Sequence, residues 1–162
     1  MGLLRQHFPA ESARLPRRGV RHGTAYCQLV PRQEAMHRRA ASVPTILSVG
    51  AIKPRKGFHV SLAAFALLKR RVPSARYWIV GRVDQPEYLK TLQRFIEQEH
   101  LEDVHVLGEF SPEALRTCYQ DASLFALAPQ QVGFSFEGFG LVFLEAGASG
   151  LPVVPTLSLK HI

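Results

Sequence analysis

The feature that most constrains this chain is a repeated local design, in which short apolar runs are halted by glycine or proline and separated by helical patterns. "TILSVG" ends at Gly50, "ARYWIV" runs into Gly81, "DVHVLG" ends at Gly108, "ASLFALAP" ends at Pro129, and "LPVVP" follows Gly150. Such runs, bounded by breakers, read as buried strands. They predict strands near 45–49, 75–80, 104–107, 122–127 and 152–154, and a helix starting near 140. Between the strands, Phe58, Leu62 and Phe65 repeat at i, i+4, i+7 ahead of Val72-Pro73, and Leu89, Leu92 and Ile96 make a second stripe. "SPEALRTCY" opens with a cap serine, a proline at the first helical position and a glutamate after it, a standard helix start. Cys118 falls on the apolar side of that helix and is expected in the core rather than reactive. Strands alternating with helices imply an α/β fold: a Rossmann-like parallel sheet with right-handed crossovers, flanked by helices.

Charge divides the 162 residues in two. The formal net charge is +7, which suggests a nucleic-acid partner until it is located. Residues 1–43 hold eight arginines and two glutamates, whereas the remainder holds twelve basic and eleven acidic residues. The basic character therefore belongs to the leader. Residues 1–43 show neither helical nor strand period and read as a disordered or non-native leader; 44–162 read as the folded domain. A transit peptide would need an amphipathic stripe that is missing here, and a solvated tail outweighs a nucleic-acid arm. No nucleic-acid partner is expected. His7, His22 and His37 lie too far apart for a compact metal motif. Cys27 and Cys118 form no CxxC pair, which suits a reducing compartment. The longest apolar run, "VSLAAFALL", is too short to cross a membrane. The expected location is cytoplasmic, with contact at a membrane surface left open.

In parallel α/β sheets ligands sit beyond the carboxyl ends of the strands. This sequence puts its unusual residues there: "VGAIKPRKG", "VGRVD", "LGEFS" and "APQQVGFSFEGFG". The "GFG" at 138–140 is no dinucleotide fingerprint, because position 143 is phenylalanine and the later acidic residue is missing. "KPRKG" is no P-loop, since neither Ser nor Thr follows Lys56. A helix starting near Gly140 still offers N–H groups and a positive dipole end to a phosphate. Lys56, with Arg55 as helper, supplies full charge from the first loop, unless "KPRK" is only a solvated turn. Glu145, one to two turns into the helix, can accept paired hydroxyls, as from a ribose. Glu137 precedes the helix and faces whatever lies beyond the phosphates. Carboxylates on both sides of a diphosphate describe a nucleotide sugar. A glycosidase use of the two glutamates fits less well, because one sits in a loop and the other within a helix.

The stretch "EGFGLVFLEAGASGLPVV", with Glu137 and Glu145, resembles the C-terminal, donor-binding domain of family 4 (group 1) retaining glycosyltransferases of the GT-B type. The likeness runs back through "SVGAIKPRKGFH", "YWIVG" and "VHVLGEFSPEALRTCYQDASLFALAP", covering roughly 44–154. It implies that Glu137 binds donor-sugar hydroxyls and Glu145 the nucleotide ribose, while Lys56 contacts the diphosphate. Backbone N–H groups around Gly138, Phe139, Gly140 and Leu141 would complete the sugar–phosphate contacts, and the segment near Val106 would lie beside the base. Lys56 and Glu137 carry the catalytic role. The donor would be a UDP- or GDP-linked sugar, transferred to an acceptor hydroxyl with retention, without cofactor or metal. One departure is Ala51, where the family usually has an arginine; Lys53 or Arg55 could replace that charge. The family's N-terminal acceptor domain has no counterpart in 1–43, and the domain's final strand and helices do not follow before Ile162. The sequence thus reads as a truncated donor-binding domain, inactive when isolated; a non-catalytic nucleotide-sugar-binding fragment is the rival.

Overall fold

A computed structural model describes residues 43–130 and 140–155. Five strands form one parallel sheet: β1 (Thr45–Val49), β2 (Arg76–Val80), β3 (Val104–Gly108), β4 (Leu124–Leu127) and β5 (Val153–Pro155). Four α-helices join them: α1 (Phe58–Lys69), α2 (Pro86–Gln98), α3 (Pro112–Asp121) and α4 (Leu141–Ala148). The short 3-10 turn Pro54–Lys56 precedes α1. All five expected strands are present within two residues of their expected limits, and the sheet is the parallel, helix-flanked layer that the rhythm implied.

Strand order is β3-β2-β1-β4-β5. The chain builds outward from β1 to β3, then crosses back past β1 to place β4. With right-handed crossovers, this reversal puts α1 and α2 on one face and α3 and α4 on the other. β1 is therefore central, and Leu47, Ser48 and Val49 are buried. A strand covered on both faces buries side chains on both, and in "TILSV" the polar Thr45 and Ser48 are buried with the apolar residues.

Each helix shows the stripe that its sequence carries. Phe58, Leu62 and Phe65 are buried beneath α1, and Leu92 beneath α2. Gly57 cannot cap α1 with a side chain; instead the hydroxyl of Tyr88 on α2 accepts from the His59 N–H at 3.0 Å. Ser111 caps α3 by accepting from Ala114 N–H at 3.3 Å. Cys118 is fully buried, and burial pushes its thiol up to about 12. It is a core residue. Lys69, at the end of α1, donates to the Ala75 carbonyl at 3.0 Å and pairs with Asp103, which ties the amino-terminal ends of β2 and β3 together.

Candidate functional site

The reversal of strand order defines where a ligand would enter. β1 and β4 are adjacent, yet their following connections lead to opposite faces of the sheet. The gap between them beyond the carboxyl ends is the topological switch point, the preferred ligand crevice of open α/β sheets. Residues 50–57 after β1, which include Lys56, border it, as do the exit of β4 at Ala128–Gln130 and the start of α4 at Gly140.

Backbone contacts hold the first loop. Gly57 has φ +67°, a left-handed conformation open to glycine. A Cβ there would stand 1.6 Å from the Ala128 carbonyl oxygen. Gln130 N–H donates to the Arg55 carbonyl at 2.8 Å. The turn carrying Lys56 is thus fastened to the exit of β4, and no bulkier residue fits between. The Lys56 stem lies over Gly50, with Cε 3.3 Å from where a Cβ would sit. Lys56 therefore lies across the carboxyl end of β1.

The same loop is braced from β2. Ile52 is fully buried and bridges to Val83; its N–H donates to the Arg82 carbonyl at 2.7 Å. This parallel continuation brings Lys53 within 3.3 Å of Asp84, which Arg82 also grips at 2.9 Å. The two cations hold the Asp84 carboxyl below the ordinary range, with the Arg82 hydrogen bond foremost. Lys53, one of the residues expected to replace the charge missing at Ala51, is thus engaged by a carboxylate of the neighbouring loop.

At the other border, Gly140 caps α4 without a side chain. The Phe143 ring packs so close that a Cβ at Gly140 would meet it at 2.5 Å. Leu141 is the first residue of α4 and is largely exposed. Glu145, on the second turn, is half-buried, and its Oε2 accepts a hydrogen bond from the Tyr119 hydroxyl at 3.0 Å. Sequence reasoning missed Tyr119, which lies on another helix, 26 residues away. Glu137, Gly138 and Phe139 lie outside the described residues. Lys56, Gly140, Leu141 and Glu145 are therefore the site residues whose positions are described. Val106, proposed to lie beside the base, is half-buried on β3, two strands away from the switch point.

The fold is an open parallel α/β layer whose strand order reverses between β1 and β4. The sequence profile of glycosyl transferases group 1 matches residues 31–157, and the chain belongs to that family. Its fold is the Rossmann-like layer of GT-B glycosyltransferases. It is 33% identical over 119 residues to a GDP-mannose-dependent alpha-(1-6)-phosphatidylinositol monomannoside mannosyltransferase of Mycobacterium tuberculosis, covering 72% of this chain and 30% of that protein. It is 32% identical over 132 residues to the mannosylfructose-phosphate synthase of Agrobacterium fabrum, covering 78% and 28%. The Anabaena protein Alr3699/HepE, solved in complex with UDP and glucose, superposes with a TM-score of 0.59 at 26% identity, covering 68% of this chain and 28% of that one. The chain thus spans about three-tenths of the length of the curated relatives it matches. Among the described residues no helix is long and apolar enough to cross a membrane.

Proposed function

We propose that this chain carries the nucleotide-sugar site of a family 4 retaining glycosyltransferase. One observation supports the reading above the others: the turn bearing Lys56 is fastened, through Gly57 and the Arg55 carbonyl, to the exit of β4 at the switch point. The cation of one loop and the N-terminus of α4, reached by the next, then serve the same diphosphate. Glu145 accepts the ribose hydroxyls. Glu137 holds the sugar, and the backbone at Gly138, Phe139, Gly140 and Leu141 contacts sugar and phosphates. As the sugar leaves, charge grows on the nucleoside diphosphate; Lys56 and the helix end stabilise it, which is electrostatic catalysis by preorganised groups. The incoming acceptor hydroxyl attacks from the same face, so the configuration is retained. The base is guanine or uracil: a relative is named for GDP-mannose and a structural neighbour was solved with UDP.

Residues 1–162 taken by themselves should bind donor without transferring sugar, because transfer also needs the acceptor held beside it. Calorimetric titration with GDP, UDP and their sugars tests this. Glu137→Gln should weaken only the sugar-bearing ligands, and Lys56→Ala should weaken all of them. Equal losses for free and sugar-bearing nucleotides in Glu137→Gln would refute its assigned role, and transfer by the isolated chain would refute the division of labour.

A further inference from the structure

We propose that Tyr119 is a positioning residue for Glu145: its phenol holds the carboxylate by Oε2 and leaves Oε1 to receive the ribose hydroxyls of a nucleoside diphosphate. The inference rests on the donor-site reading above. Tyr119 is 4% exposed. Its ring lies 6.1 Å from that of Phe125 on β4, and Phe125 meets Phe143 of α4 edge-on at 5.6 Å. Three aromatic rings thus bridge α3, β4 and α4, and the ring that carries the phenol is packed among them. Burial, and then the Glu145 charge, push the Tyr119 hydroxyl far above its ordinary range. It stays protonated and can only donate to the carboxylate. Ser149, one turn on, donates through Oγ to the Glu145 carbonyl at 2.9 Å, which anchors the backbone from which the carboxylate hangs. A carboxylate held at one oxygen loses less rotamer freedom when the other binds a ligand, and preorganisation of that kind raises affinity. The competing account is that Glu145 merely satisfies a buried phenol. It predicts effects on folding without selectivity for ribose.

The two accounts separate in a titration of the full chain with GDP, UDP and inorganic pyrophosphate, which lacks a ribose. Tyr119→Phe should weaken the nucleoside diphosphate by about 3- to 10-fold, the size of one hydrogen bond, and leave pyrophosphate unchanged. In a Glu145→Gln background the same change should have little further effect. Equal losses for both ligands, unchanged nucleotide affinity, or a full additive loss in the double variant would overturn the proposal. Should Tyr119→Phe fail to fold, 3-fluorotyrosine at position 119 keeps the hydroxyl. Its fluorine resonance should move with the nucleoside diphosphate and not with pyrophosphate; a resonance still in both titrations overturns the proposal. A wild-type chain that binds neither GDP nor UDP would refute the donor-site reading and the positioning role with it. Tight wild-type binding with an indifferent Tyr119→Phe refutes the positioning role alone.

Discussion

Two tyrosines, one on each face of the sheet, solve the same problem differently. On the α1 side, Tyr77 is fully buried and its hydroxyl meets Ser48 Oγ at 2.7 Å, while Ser48 bonds onward to the Ala126 carbonyl. Neutral groups satisfy one another and the cluster closes within the core. On the α3 side, Tyr119 is nearly as buried, but its partner is a half-exposed carboxylate. A buried phenol needs only an acceptor, and a hydroxyl would serve at less desolvation cost than a carboxylate. The charged choice on one face is therefore the informative one. The α1–α2 face is built for cohesion, whereas the α3–α4 face keeps a half-buried carboxylate, the group that the proposed function directs at a ligand.

That contrast can be broken or sharpened by substitution. The largest effect belongs to the cohesive face. Phe65 is buried with its ring 5.4 Å from that of Tyr77, and Phe65→Ala should cost about 3–5 kcal/mol of stability in urea unfolding. Nucleotide affinity of the remaining folded protein should not change; a selective loss of binding would erase the division between faces. Next comes Glu145→Gln, which should weaken GDP or UDP by ~1–3 kcal/mol as a charge-assisted hydrogen bond is lost, while the unfolding midpoint moves little. A large midpoint shift with intact binding would make Glu145 a core residue like Ser48. Smaller still, Tyr77→Phe should lower stability by about 1 kcal/mol and leave titrations with pyrophosphate and nucleotide alike.

A further effect is confined to alkali. Burial pushes Tyr77 and Cys118, one group from each side of the sheet, up to about 12. The unfolded chain loses those protons nearer their ordinary values, about 10 and 8.5. Both folded-state values are raised, so the contribution is complete below the unfolded values and is lost as pH climbs from about 8.5 towards 12. Stability measured across that window should fall, and Tyr77→Phe should flatten its upper part. A profile unchanged by the substitution would mean that Tyr77 ionises as easily folded as unfolded.

Much of the fold was legible because local rules and tertiary burial agree. Gly50 and Gly81 follow the ends of their strands and Gly108 closes β3; the stripe of Phe58, Leu62 and Phe65 became the buried side of α1; Ser111 became a cap. Strand order was not legible, since periodicity says which residues are buried and nothing about which neighbour a strand chooses. Parts of the site escaped for the same reason. The sequence pointed to Lys53 as spare charge, but the continuation of β1 and β2 through Ile52 and Val83 delivers it to Asp84. The pattern put Cys118 on the apolar side of α3 and assigned nothing to Tyr119, whose partner Glu145 is identified only by the placement of α3 beside α4. Lys56, Gly140, Leu141 and Glu145 were recognised as candidates from loop, cap and helix chemistry together with a family resemblance, and their roles await the titrations.

The hydrogen bond from the Gln130 amide to the Arg55 carbonyl, set beside the glycine-only contact at Gly57, has a consequence in time. That amide cannot exchange its proton with water until the Lys56 turn lifts away from β4. Its deuterium uptake is therefore a clock for separation of the two loops, readable without ligand and on one residue. A protected Gln130 amide would mean that the Lys56 turn and the exit of β4 stand assembled before any ligand arrives.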